Sequence, residues 1–301
     1  MNTITQKIGE LKKKRHAVIL AHNYLLPDVQ ELADFKGDSL ELARIASKTD
    51  AKVIVYCGVD FMAETASILC PNATVLMVDR SATCPMANML TANQLKELKA
   101  KHPGAAVIGY VNSSAEVKAE LDACCTSSNA VAVVKAFKSS PEIIFVPDKC
   151  LADFVSKKTG RDLIVWNGFC PTHMKILPED IRYQKKLHPE AKVLVHPECL
   201  PEVVALADEV LSTSGMASFA KKTAAAEMII GTEEGMVYRL QQDIPGKKFF
   251  PAAERAVCQN MKKSTPAKIL TSLETLREEV RVPDRVRAAA RRAIDRMLEI
   301  T

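Results

Sequence analysis

The chain has 301 residues, 48% of them hydrophobic and 26% charged, with a formal net charge of +5. That length can bury one large core or two to three small ones, and the charge excess is too weak to direct the chain to nucleic acid, although it suits small anions. No apolar run reaches the roughly 20 residues of a membrane span, so a cytoplasmic protein without membrane or nucleic-acid partners is expected, and its nine cysteines point to metal binding, catalysis or burial rather than disulfides.

Ile4, Ile8 and Leu11 predict an opening helix over Ile4–Lys14, and Ala17–Ala21 reads as a short buried strand with His22-Asn23-Tyr24 at its carboxyl end. A helix after Pro27 ends near Leu32-Ala33-Asp34, and another covers Leu40–Ala46 with Ser39 as its expected N-cap. Strand Val53–Tyr56 leads into Gly58–Met62 and a further helix, and strand Thr74–Val78 runs into the loop that carries Cys84. The same order of parts then restarts twice. Helix Thr91–Ala100 precedes strand Ala106–Gly109 and Tyr110-Val111-Asn112, and helix Pro178–Leu187 precedes strand Lys192–Val195 and His196-Pro197-Glu198. In this register His22, Tyr110 and His196 are equivalent, as are Asp34, Asp122 and Asp208; Ser39, Ser127 and Thr213; and Asp60, Asp148 and Glu234. A helix over Thr265–Glu279 copies the opening one, and the arginine-rich Arg281–Arg296 carries a buried stripe of Val286, Ala290, Ala293 and Met297 that argues against a nucleic-acid helix.

Three βαβαβ-like units of about 87 residues imply an α/β fold of three pseudo-threefold-related, three-layer α/β/α domains, each with a short parallel sheet, around a central cavity. The expected boundaries are 1–86, 87–173 and 174–261, with helices in 262–301 packing back onto the body. Ligands of such sheets bind beyond the carboxyl ends of the strands, where the equivalent residues fall.

Cys84, Cys170 and Cys258 recur at intervals of 86 and 88 residues (170 − 84 and 258 − 170), which suggests one metal ligand from each unit. None has a C-x-x-C partner, so zinc-ribbon and ferredoxin patterns are absent. Soft thiolates still favour an iron-sulfur cluster or zinc, and a [4Fe-4S] cluster on three thiolates would keep one iron open as a Lewis acid. Cys57, Cys70, Cys124, Cys125, Cys150 and Cys199 have no threefold counterpart and read as structural. Ser39, Ser127 and Thr213 precede helical runs, whose free N–H groups and dipoles attract carboxylate or phosphate; three of them around one cavity suit a polyanionic substrate. His22 and His196 are candidate hydrogen-bonding or cationic groups, Tyr24 and Glu198 candidate acid–base groups, and His173 lies close enough to Cys170 to share the cavity.

Ala21-His22-Asn23-Tyr24, Gly37-Asp38-Ser39, Gly58-Val59-Asp60-Phe61-Met62-Ala63-Glu64, Ser81–Met86, Tyr110-Val111-Asn112-Ser113, His196-Pro197-Glu198-Cys199 and Cys258-Gln259-Asn260-Met261 together resemble the quinolinate synthase family, over nearly the whole chain. The resemblance implies a three-domain enzyme of NAD biosynthesis with a [4Fe-4S] cluster on Cys84, Cys170 and Cys258. It would condense iminoaspartate with dihydroxyacetone phosphate to quinolinate, phosphate and water, with an aspartate-oxidising enzyme as supplier of the imine. Substrate contacts would come from His22, Ser39, Tyr110, Asn112, Ser127, His173, His196, Glu198 and Thr213, and Tyr24 and Glu198 would assist proton transfers. Some members carry C-x-x-C-x-x-C at the last motif; Met261 and Ser264 stand there in this chain, which argues against a local redox disulfide. The competing readings are another [4Fe-4S] dehydratase or reductive dehydroxylase, and a non-catalytic metal-binding or electron-transfer module.

Overall fold

The computed structural model describes residues 3–300. A first run of elements comprises α1 (Ile4–Arg15), β1 (Ala17–His22), α2 (Pro27–Leu32), β2 (Phe35–Gly37), α3 (Ser39–Lys48), β3 (Val53–Cys57), α4 (Asp60–Leu69) and β4 (Thr74–Met77). The same alternation returns as α5 (Ala92–Lys101), β5 (Ala106–Tyr110), α6 (Ala115–Lys118), β6 (Ala123–Cys125), α7 (Ala130–Ala136), β7 (Ile143–Val146), α8 (Lys149–Thr159) and β8 (Ile164–Val165). It returns again as α9 (Pro178–Leu187), β9 (Lys192–Val195), α10 (Pro201–Val204), β10 (Glu209–Val210), α11 (Thr213–Lys222), β11 (Glu227–Gly231), α12 (Gly235–Asp243) and β12 (Lys248–Pro251). Each run forms one four-stranded parallel sheet, with orders β2-β1-β3-β4, β6-β5-β7-β8 and β10-β9-β11-β12. The fold is α/β, with helices on the sheet faces. Strands covered on both faces read as continuous apolar runs, and β3, β5 and β7 are buried at every residue.

The outer strands β2, β6 and β10 are additions to the expected three strands per unit. Two or three residues are too few to show an alternating pattern, and Phe35 is exposed. The repeated aspartates explain why these strands form. Asp34 exchanges a pair of hydrogen bonds with Ile19 of β1: its N–H donates to the Ile19 carbonyl at 3.0 Å and its Oδ2 accepts the Ile19 N–H at 2.7 Å. Asp122 does the same with Val107 and Asp208 with Val193, the side-chain bonds being 2.7 and 2.8 Å. Each carboxylate thus takes the N–H just before the edge strand begins, and fixes the register of its sheet.

Two further helices close the chain, α13 (Pro266–Thr275) and α14 (Asp284–Glu299). α13 is shorter than its sequence pattern suggests because Leu276 and Glu278 adopt left-handed backbone angles, φ 52° and 66°. The chain then lies along β4: the Met77 N–H donates to Glu278 and the Val280 N–H to Val75, so the outer edge of the first sheet is covered. α14 begins after Pro283, leaving Arg281 outside it, and buries Ala290, Ala293, Ile294 and Met297 against α4, α6 and β6. α13 packs on α1, α2 and β3. No helix among the described residues is long and apolar enough to cross a membrane.

Replacing Asp122 with alanine strands the Val107 N–H inside the second sheet. The expected loss is about 1–3 kcal/mol, to be measured as a lower urea midpoint with an unchanged m-value.

Candidate active site and metal centre

The carboxyl ends of the strands from all three sheets meet at one cavity of about 210 Å³, a size suited to small molecules. Its wall includes His22 and Tyr24 beyond β1, Tyr110 and Asn112 beyond β5, His196 and Glu198 beyond β9, and Ser39, Ser127 and Thr213. Cys84, Cys170, Cys258 and His173 line it too, together with Lys175, so the candidate ligand, substrate-binding and acid–base residues share one space. The N-cap expected at Ser39 needs correction, while Thr213 opens α11 and Ser127 precedes α7. Asp38, not Ser39, caps α3, in a capping box with Glu41; Ser212 caps α11; and Asn129 stands at the cap of α7. None of the three hydroxyls caps its helix: Thr213 Oγ1 accepts from Asn23 Nδ2 at 3.0 Å, Ser127 Oγ pairs with His196, and all three residues line the cavity. The three units touch behind it, where the Ser128 hydroxyl donates to Asp38 Oδ2 at 2.7 Å and lies 2.8 Å from Ser212 Oγ.

The protonation of the histidines follows from their neighbours. His22 Nδ1 accepts the Tyr24 N–H at 3.2 Å, and His196 Nδ1 accepts the Glu198 N–H at 3.3 Å. A backbone N–H can only donate, so both rings, when neutral, carry hydrogen on Nε2. Burial keeps them neutral, lowering His22 to about 4 and His196 to about 3. The His196 Nε2 lies 3.1 Å from Ser127 Oγ.

A buried relay runs beside them. Tyr24 Oη lies 2.6 Å from Thr232 Oγ1, Thr232 Oγ1 lies 2.8 Å from His173 Nε2, and His173 Nδ1 is 2.9 Å from Glu198 Oε2, a close approach without the alignment of a hydrogen bond. The Tyr110 hydroxyl donates to the other Glu198 oxygen. Burial pushes the Glu198 carboxyl upward, but His173, His196 and Tyr110 outweigh it and hold the group ionised, below the usual carboxylate range. Burial first, and the Glu198 charge second, push both phenols well above their ordinary value, so Tyr24 and Tyr110 remain donors. Asn112 Oδ1 is buried without a partner.

Thr232, immediately after β11, was not a sequence candidate, since its register counterparts Gly58 and Val146 carry no hydroxyl; the available signal was its place at a strand end. Lys262 was also missed. Its Nζ contacts the Tyr24 carbonyl at 2.8 Å, Glu233 at 3.0 Å and Glu234 at 3.0 Å.

The three cysteines share one local construction. Each precedes a short 3-10 turn, Ala87–Met89, His173–Lys175 or Met261–Lys263, and the N–H of the first residue of that turn donates to the cysteine sulfur. The Thr172 hydroxyl donates to Cys258 as well. Burial pushes all three thiols up, Cys84 to about 12, so they ionise only when a cation compensates. Donors already aimed at the sulfurs, with the ligating atoms of Cys170, His173 and Glu198 all within 4.8 Å of one another, fit a metal cofactor at this wall. No fourth cysteine among the described residues lines the cavity.

The family model for quinolinate synthetase A protein matches residues 6–299. The chain belongs to this family. It is 55% identical over 297 residues to the quinolinate synthase of Dehalococcoides mccartyi strain CBDB1, covering 99% of this chain and 98% of that protein. It is 52% identical over 301 residues to the quinolinate synthase of Thermodesulfovibrio yellowstonii, covering 100% and 99%, and 49% identical over 297 residues to that of Methanoregula boonei, covering 99% and 98%.

As pH falls below 6.5 the unfolded chain protonates histidines that the folded protein keeps neutral until about 4 and 3, so His22 and His196 destabilise the fold progressively over that window. Thermal melts of wild type should therefore decline more steeply between pH 6.5 and 4 than those of His196→Gln.

Proposed function

We infer that the cavity carries the quinolinate synthase reaction, in which iminoaspartate and dihydroxyacetone phosphate condense to quinolinate, phosphate and water. Family membership supports this, and the observation that carries it to particular residues is the convergence of Cys84, Cys170 and Cys258 on the wall that also holds Glu198 and His173. The three cysteines would hold a [4Fe-4S] cluster, which when bound supplies Lewis-acid chemistry at the iron without a thiolate. A supplier that oxidises aspartate to its imine, in the same cytoplasmic compartment, completes the scheme.

Both substrates are anionic, and the cavity offers mainly neutral donors. His22 and His196 present Nε2–H groups, and the hydroxyls of Ser39, Ser127 and Thr213 add to them; Ser39 and Thr213 stand at the starts of α3 and α11, where the helix dipoles favour negative charge. Asn112 Oδ1 would accept from a substrate hydroxyl or N–H that it now lacks. Glu198, held ionised, is suited to remove a proton. Tyr24, held protonated, is suited to give one to a departing hydroxyl and to recover it through Thr232 and His173.

The test is anaerobic purification, measurement of iron and sulfide per chain, and an assay with dihydroxyacetone phosphate and freshly generated iminoaspartate. About four of each per chain and quinolinate formation are expected; a fully loaded protein that forms none would sink the assignment. Cys84→Ala, Cys170→Ala and Cys258→Ala should each abolish cluster binding while Cys57→Ala and Cys70→Ala should not, and equal loss in all five would overturn the ligand set. Thr232→Val keeps the shape but breaks the relay, and should lower kcat by about 100-fold with little change in KM.

A further inference from the structure

Behind each cysteine stands a carboxylate. Asp60 Oδ1 accepts the Cys84 N–H at 3.1 Å and Glu233 Oε1 accepts the Cys258 N–H at 2.9 Å, while the Asp148 carboxylate lies beside the Cys170 N–H with its Oδ2 buried and without a hydrogen bond. Asp60 opens the helix that follows the third strand of its sheet, Asp148 and Glu233 sit between that strand and helix in theirs, and each also ties down the start of the helix. Asp60 Oδ1 takes the Phe61 N–H at 2.9 Å, Asp148 Oδ1 the Leu151 N–H at 2.7 Å, and Glu233 Oε2 the Gly235 N–H at 2.8 Å. Asp148 and Glu233 are fully buried.

The contact recurs although its parts do not. The cysteines lie 24, 22 and 25 residues downstream of their carboxylates (84 − 60, 170 − 148, 258 − 233), and the third acid is a glutamate one position before Glu234, the residue the repeat register points to. Glu234 instead faces Lys262, and the longer Glu233 side chain spans the difference. Three separate constructions of one contact are hard to ascribe to loop packing alone, because a loop N–H is satisfied at lower cost by a carbonyl or water than by a carboxylate taken out of solvent. With the N–H of Cys84 and of Cys258 tied behind it, that of Cys170 facing Asp148, and the first N–H of each 3-10 turn directed at the sulfur, the orientation of the thiols is set before any metal arrives.

We propose that Asp60, Asp148 and Glu233 are positioning residues that hold the three cluster-ligand loops in binding geometry. This rests on the cluster assignment above. The alternative is that they are helix caps and nothing more. A lost cap lowers the melting temperature of metal-free protein by about 2–4 °C and leaves metal retention alone.

The experiment compares full-length wild type with Asp60→Ala, Asp148→Ala and Glu233→Ala, and with Asp60→Asn, Asp148→Asn and Glu233→Gln. Each is reconstituted anaerobically, and iron loss to a ferrous chelator is followed by the visible absorbance of the cluster, alongside melts of the metal-free forms. The alanine variants should lose iron about tenfold faster than wild type at a metal-free melting temperature within about 5 °C of it, with the amides intermediate. If an alanine variant does not fold, its amide decides, with loss at least about threefold faster expected. Rates within twofold of wild type in all folded variants overturn the positioning role. A wild type that takes up no cluster overturns the cluster assignment instead, so the two failures are distinguishable.

Discussion

Parallel strands run out of backbone partners at their carboxyl ends, and this constraint organises the molecule. A four-stranded parallel sheet too small to enclose a site of its own still directs its four strand ends to one side. Three such sheets facing inward bring strand ends from every sheet to a single wall. The side chains that satisfy the loose backbone groups are the ones that line the cavity. The strand-end histidines show the economy of this: the N–H two residues on, from Tyr24 or Glu198, is received by Nδ1, and the other nitrogen faces the cavity as a donor.

The site is electrostatically restrained. Its His22, His196 and phenols stay uncharged through burial, and Glu198 is held ionised by its surroundings. Neutral donors bind anions without the desolvation cost of a buried cation, and they leave the proton balance of the reaction to a few groups. Thr232 matters for that reason, since it is the bond between a phenol that keeps its proton and an imidazole beside a carboxylate that does not.

Much of this was legible because the chain says everything three times. The spacing of Asp34, Asp122 and Asp208 located the same backbone anchor in each sheet, and the spacing of the cysteines located the metal wall. What repetition could not show was length-dependent or unique. The edge strands β2, β6 and β10 are held by those aspartates rather than by any apolar pattern of their own. The exchange of roles between Ser39 and Asp38 depends on which side chain reaches the Leu40 and Glu41 N–H groups, a matter of backbone angle invisible to spacing. Thr232 has no counterpart with a hydroxyl, and Glu233 is displaced by one position from its register. A reading built on periodicity misses the members that break it.

Lys262 carries one more consequence. It sits on the 3-10 turn that follows Cys258, yet its ammonium is anchored on the carbonyl of Tyr24 and on Glu233, the residue that receives the Cys258 N–H. The turn that presents a sulfur to metal is thereby the turn that steadies the backbone of the phenol at the head of the proton relay. The two ends of the site therefore share a mechanical part: any shift of the Cys258 turn is carried through Lys262 to the backbone of Tyr24.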